Sequence, residues 1–181
     1  MRKLLLWIGL SLVALPLLAA PAAAQGECAG TSGSATINAS AWTASCVFAI
    51  TASDCVDSLG SSYECFEILG TSATDPVYQS IALFLDAPPV QGMTYALGGT
   101  STNGGMILGS AGFFLTAEAP YTGQVQVTRY DAVGGFIDCN FSFDARNLFG
   151  PGTATLTNGL FSGRLVRVAP STWSSLKTLY R

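Results

Sequence analysis

From Phe136 to Ala145 the chain alternates without a fault. Ile137, Cys139, Phe141 and Phe143 fall on one side, and Asp138, Asn140, Ser142 and Asp144 on the other. A repeat of two with one apolar and one polar face is what a half-buried β-strand requires, and no helix presents it. The same period recurs elsewhere. Ile81, Leu83 and Leu85 share a side, and Val125 and Val127 stand opposite Gln124, Gln126 and Thr128. Trp42, Ala44, Cys46, Phe48 and Ile50 have one parity and read as one continuous strand. Between these runs lie turn residues: Leu59-Gly60-Ser61, Ala87-Pro88-Pro89, Gly98-Gly99, Asn103-Gly104-Gly105, Gly134-Gly135 and Gly150-Pro151-Gly152. Two of the breaks predict hairpins. Asp131 to Gly135 would join 123–130 to 136–145, and Thr157-Asn158-Gly159 would join 152–157 to 160–168. The pattern predicts eight or nine short strands and an all-β fold, an antiparallel β-sandwich or, as the alternative, a partly closed β-barrel. Only the tail, from Ser171 to Leu179, has helical character, with Ser171 as its cap.

The first 24 residues have a different character. Arg2-Lys3, the apolar stretch Leu4 to Leu18 and Ala22-Ala23-Ala24 are the three parts of a secretory signal peptide. Residues 25–34 are small and polar and read as a flexible leader. Residues 35–168 form the β-sandwich domain, and 169–181 a C-terminal tail. Export, to the periplasm or outside the cell, is the expected destination. A lipid anchor is disfavoured because Glu27, not a small residue, precedes Cys28. No later segment is long and apolar enough to cross a bilayer as a helix, and Leu179-Tyr180-Arg181 lacks the terminal aromatic of outer-membrane barrels.

Composition removes several chemistries. The chain has no histidine, which excludes Ser-His-Asp and Cys-His catalysis, histidine metal ligands and histidine pH switching. Without Arg2 and Lys3, eleven acids face six bases, a net charge of −5 with no basic stripe, so nucleic acid is not an expected partner. No cofactor is expected.

The order of motifs resembles that of a family of small exported bacterial β proteins, many of them lipoproteins, known as a domain of unknown function. Ile37-Asn38-Ala39-Ser40-Ala41-Trp42-Thr43-Ala44 is similar to its opening I-N-G-x-x-W-x-A strand. Gly92 to Gly99 is similar to its G-x-Y-x-L-G turn, and Gly123 to Tyr130 to its G-x-V-x-I-T strand. Gly135 to Ala145 resembles its G-x-I-x-G-x-F-S-F-x-A strand, with Cys139 where a glycine is commoner. Thr155 to Gly163 resembles its V-T-N-G-x-F ending. The resemblance implies the fold and an export route, and carries no reaction or site residues.

Five cysteines follow the signal peptide, at 28, 46, 55, 65 and 139. In an oxidising compartment at least one is left unpaired. Cys46 with Cys139 across the core and Cys55 with Cys65 across the Ser58 to Ser62 loop form one expected set, with Cys28 left over. The alternative pairs Cys28 with Cys46 or Cys55 and leaves Cys139 a buried thiol. Asp54, Asp57, Glu64 and Glu67 crowd the same loop. They are candidates for Ca²⁺, which takes hard oxygen ligands, or for acid–base work on a glycoside, although no D-x-D-x-D-G spacing is present. Asp138 and Asp144 lie about 20 Å apart along one strand, too far for a catalytic pair. The tyrosines at strand ends fit sugar stacking or, equally, the rim of a core. The leading expectation is a non-catalytic exported module with a binding or structural role at the cell envelope and an unidentified envelope or extracellular partner. The alternatives are a carboxylate-dependent hydrolase using the acids of 54–67, and a carrier of small apolar ligands with Phe48, Leu83 and Phe141 around a cavity.

Overall fold

The computed structural model describes residues 28–56, 62–116, 119–132 and 135–166. Eleven strands account for most of them. They are β1 (Ser32–Ile37), β2 (Ser40–Ala44), β3 (Cys46–Val56), β4 (Ser62–Thr71), β5 (Ser80–Leu85) and β6 (Thr94–Gly98). Then come β7 (Gly104–Gly109), β8 (Gly112–Leu115), β9 (Thr122–Tyr130), β10 (Phe136–Asn147) and β11 (Thr153–Val166). The fold is all-β, as the alternation predicts, with no helix among the described residues.

Two long strands organise the rest. Along one edge β11 pairs with β10 from Arg146↔Thr153 to Phe136↔Arg164. Its other edge is shared. β1 takes residues 156–162, and β3 takes Arg164, Leu165 and Val166 in a short parallel pairing, a departure from the wholly antiparallel expectation. β10 is likewise shared between β9 and, at Arg146 and Asn147, β8. The strand order is β2-β1-β11-β3-β4-β5-β7-β8-β10-β9-β6, and the extra β11–β10 pairing closes a ring of seven strands. That ring depends at β8 on two residue pairs, which places the architecture between a sandwich and a partly closed barrel.

Inside lies one core. β2-β1-β11-β10-β9-β6 contributes Trp42, Ile37, Phe161, Phe141, Phe143 and Val125, and β3-β4-β5-β7-β8 contributes Val47, Ile68, Ile81, Leu83 and Ile107. The alternation seen in the sequence holds in β10, where 137, 139, 141, 143 and 145 are buried. Three close approaches explain glycines that lie inside strands, Gly105 among them although its Asn103-Gly104-Gly105 setting reads as a turn. A methyl at Gly70 would meet Phe161 Cζ at 2.5 Å, one at Gly33 would meet Phe161 Cδ1 at 2.8 Å, and one at Gly105 would meet Phe143 at 2.9 Å. Aromatic rings occupy the space that these glycines leave.

Three expectations are corrected. Asn158-Gly159 is not a hairpin turn: β11 runs unbroken through it, and Asn158, at φ 52°, takes the left-handed conformation of a bulge. The bulge moves the buried set from Ala154 and Leu156 to Gly159, Phe161, Gly163 and Leu165, so one strand keeps its apolar side inward despite a parity change. The run from Trp42 to Ile50 is not one strand. The chain bends at Ser45, whose N–H donates to the Thr71 carbonyl, and beyond the bend Val47 and Ala49 point into the core instead of Cys46 and Phe48. The leader 25–34 is not flexible over its described part. Ser32 to Ser34 belong to β1, Cys28 is in a disulfide, and the Thr31 hydroxyl accepts the Val47 N–H. Its small residues are there for close packing: Gly33 faces Phe161, Ala44 and Val47. The strands flanking Asp131 to Gly135 pair antiparallel as predicted, with Tyr130 opposite Ile137.

Candidate functional site

Outward-facing side chains of β1, β11, β10 and β9 form two polar rows across four strands. In one row Arg129, Asp138, Ser162 and Ser32 are successive cross-strand neighbours. In the next row they are Gln126, Asn140, Leu160 and Ser34. Directly opposed residues on neighbouring strands share a face, so the rows lie side by side at strand spacing. Between them runs a shallow groove of about 360 Å³, lined by Ser32, Ser34, Asp138, Asn140, Leu160 and Ser162. Its floor is rigid because the inward neighbours Cys139 and Phe161 are locked in the core.

Each polar group has a structural cause. Serines suit β1 because its other face carries Gly33, Ala35 and Ile37, the last two buried. Thr128 donates its hydroxyl to the Asp138 carbonyl, tying β9 to β10. Arg129 is held by an ion pair to Asp131 and lies 5.6 Å from the Phe136 ring centroid, which fixes it at the groove's end. Asp138 is the exception. Its Oδ1 is shielded from solvent and has no hydrogen-bond partner. A buried acceptor left unmatched costs about 1–3 kcal/mol, so a donor arriving there would be favoured. Leu160 is the one apolar side chain on this face with substantial exposure, 52%.

The expected site residues are dispersed. Glu64 and Glu67 are three apart on β4 and so project to opposite sides of the sheet; Glu64 is exposed and Glu67 half-buried. Asp54 stands opposite Glu64 in the strand register, its side chain outside the described residues, and Asp57 lies wholly outside them. No group of three or more metal-ligating residues occurs among the described residues. Asp138 and Asp144 share the outer side of β10, where Asp144 accepts a hydrogen bond from Thr155 at 2.7 Å. Tyr78 and Tyr95 sit at the core rim with their hydroxyls engaged, accepting from Asn38 Nδ2 and the Val90 N–H respectively. Leu83 and Phe141 are in the core, but Phe48 packs on the opposite side of its sheet, so the three do not surround one cavity.

The cysteines follow the alternative pairing. Cys28 bonds Cys46, and Cys139 is free and buried, so the expected Cys46–Cys139 bridge across the core does not form and Cys28 is not the odd one out. The bend at Ser45 is the reason: it turns Cys46 out of the core and toward the start of β1. Cys65 is also in a disulfide, and the side chain of Cys55, its expected partner, lies outside the described residues. Burial pushes the Cys139 thiol up to about 12, with the nearby Asp138 charge adding to the effect and a hydrogen bond with the Phe161 backbone opposing it. Such a thiol is neutral and inert at neutral pH.

Sequence reasoning missed the groove because it assigned Ser32 and Ser34 to a leader. The signal was there: Ser32-Gly33-Ser34-Ala35-Thr36-Ile37 alternates polar with small or apolar residues. Compared with protein families, with curated proteins and with solved structures, the chain matches none.

Proposed function

We propose that this chain is an exported, non-catalytic module of the bacterial cell envelope that binds a neutral, hydroxyl-rich ligand in the β1-β11-β10-β9 groove. The observation that carries this reading is the unmatched, shielded Oδ1 of Asp138 in a groove whose other polar lining is serine, threonine and asparagine. A sugar or polyol hydroxyl supplies the missing donor, Ser32, Ser34, Ser162 and Asn140 offer both donors and acceptors, and Leu160 gives the apolar face of a pyranose something to rest on. The signal-peptide pattern of residues 1–24 and the Cys28–Cys46 disulfide support export. Binding without turnover is supported by the absence of histidine and by Glu64 and Glu67 facing opposite ways. The order of strand motifs supports kinship with the small exported β proteins of unknown function described above.

The test is a titration of isotopically labelled protein with neutral cell-wall and capsular oligosaccharides, read by amide chemical shifts. Shifts are expected at 32–34, 138–140 and 160–162, with affinity reduced at least tenfold in Asp138→Asn and unchanged in Asp144→Asn. Equal affinity of wild type and Asp138→Asn, or shifts confined to other strands, refutes the assignment.

A further inference from the structure

One of the two rows beside the groove continues past it at both ends. Thr94, Gln126, Asn140, Leu160, Ser34 and Thr43 are successive cross-strand neighbours from β6 to β2. Five of them are exposed and Ser34 is half-buried, so the row lies on the outer side throughout. It crosses six strands, about 24 Å at ordinary strand spacing. Every member is neutral. On β10 the nearest charges, Asp138 and Asp144, stand two and four residues from Asn140, and β1, β2 and β6 carry none. A ligand lying along β10 would instead meet Asp138, Asp144 and Arg146 in turn. β2 and β6 end the strand order, and each has a single strand neighbour among the described residues, so no further strand closes either end of the row.

We propose, resting on the reading of the groove as a site for a neutral, hydroxyl-rich ligand, that this row binds internal segments of an uncharged linear polysaccharide laid across the strands. The shielded, unmatched Oδ1 of Asp138 accepts a hydroxyl from the unit seated in the groove, and Leu160 supports a ring face at the middle of the row. Toward β6 the carboxamides of Asn140 and Gln126 and the hydroxyl of Thr94 each donate and accept. Toward β2 the hydroxyls of Ser34 and Thr43 do the same. Successive sugar units, with their repeated hydroxyls and ring oxygens, need that combination. A single ring covers only the centre of a row of this length, whereas a chain of linked rings reaches both ends. A lining without formal charge also spares a neutral ligand the cost of stripping water from ionised side chains. Because the row is open at each end, the chain can run past it, and recognition does not depend on a terminal unit.

The test titrates labelled protein with laminari-, cello- and malto-oligosaccharides, each as disaccharide and hexasaccharide, with Thr43→Glu, Thr94→Glu and Asp138→Asn beside the wild type. At least one hexasaccharide is expected to bind at least tenfold more tightly than its disaccharide. It should shift the amides of 43 and 94, which the disaccharide leaves in place, and bind equally well as its methyl glycoside. Each glutamate variant should lower hexasaccharide affinity at least fivefold and disaccharide affinity less than twofold. Equal affinity for the two lengths, or unmoved amides at 43 and 94, overturns the proposal, while an effect of Asp138→Asn on the disaccharide keeps the groove itself as a site. A spectrum unchanged by every one of these sugars also overturns it, and the groove then stands or falls with the wider titration above. If a glutamate variant fails to fold, the wild-type shifts at 43 and 94 decide alone.

Discussion

A single methyl group at residue 70 probes how tightly the core of this domain is locked. In Gly70→Ala the new Cβ would stand 2.5 Å from Cζ and 2.7 Å from Cε1 of Phe161, and 3.1 Å from Cη2 of Trp42. Ordinary carbon contacts lie at about 3.5–4.0 Å, so the Phe161 ring has to retreat by about 1 Å. It has nowhere to go. The Phe141 centroid is 4.5 Å away, the Trp42 ring 6.2 Å, and the backbone of Gly33 sits so near that a methyl there would touch the ring at 2.8 Å. Overpacking of this kind costs about 1–3 kcal/mol, and the trapped ring puts the site at the upper end; the entropy recovered on replacing a strand glycine returns about 0.5–1. A net loss of about 2 kcal/mol follows. Phe161→Leu costs a similar amount by itself, about half the 3–5 kcal/mol of a complete Phe→Ala truncation. Leucine has neither Cζ nor Cε1, so in the double variant the clash disappears and the combined loss falls short of the sum by about 1.5–2 kcal/mol. Urea unfolding of the four proteins, followed by far-UV circular dichroism, measures this coupling. Additivity within about 0.5 kcal/mol would show that the ring is not wedged between Gly33 and Gly70 as described.

Replacing Cys28 and Cys46 together by alanine opens a loop of 18 residues. Loop-closure entropy then predicts a loss of about 3 kcal/mol in urea unfolding, against no loss for Cys139→Ala beyond its packing. Because the unfolded thiol of Cys139 ionises near 9 and the folded one at about 12, its contribution is complete below pH 9 and is lost as the pH rises toward 12. The difference in stability between wild type and Cys139→Ala should narrow by about 1.4 kcal/mol per pH unit across that window. A constant difference would place the thiol in water. Asn158→Val puts a β-branched residue at positive φ and should destabilise by about 1–3 kcal/mol, whereas Asn158→Gly should stay within about 0.5 kcal/mol of wild type. Indistinguishable midpoints for the two variants would mean that no bulge exists there.

The class of fold was legible because it follows from local pattern. The alternation of β10, the paired valines of β9 and the aliphatic side of β5 each need only their own segment to be read. What escaped depends on residues distant in sequence. Asn158-Gly159 has hairpin chemistry, but its flanking segments pair with β10 and β1 and not with each other, and only those partners distinguish a bulge from a turn. Ser45 interrupts an apparently perfect parity because Thr71, 26 positions away, takes its N–H. That one bend decides which cysteines meet. The groove escaped for a related reason. Its rows are assembled from β1, β9, β10 and β11, and no contiguous stretch carries more than two of its outward residues. Polar residues on a strand mark its wet side, whereas an unmatched carboxylate oxygen becomes visible only when the neighbours are in place.

Because β11 carries β10 on one edge and β1 and β3 on the other, the last described strand completes the pairing of the first. Ser32 finds Ser162, and Thr36 finds Thr157, more than a hundred positions later. Until β11 is present, β1 and β2 are a lone hairpin, β3 is an open edge and Trp42 has no Phe161 to pack against. Contacts of such sequence separation make folding slow and leave unpaired edges available for aggregation in the meantime. The hairpin β9–β10 and the meander β3-β4-β5 are local and can form early. Closure of the ring requires β11, whose two edges join β10 to β1 and β3.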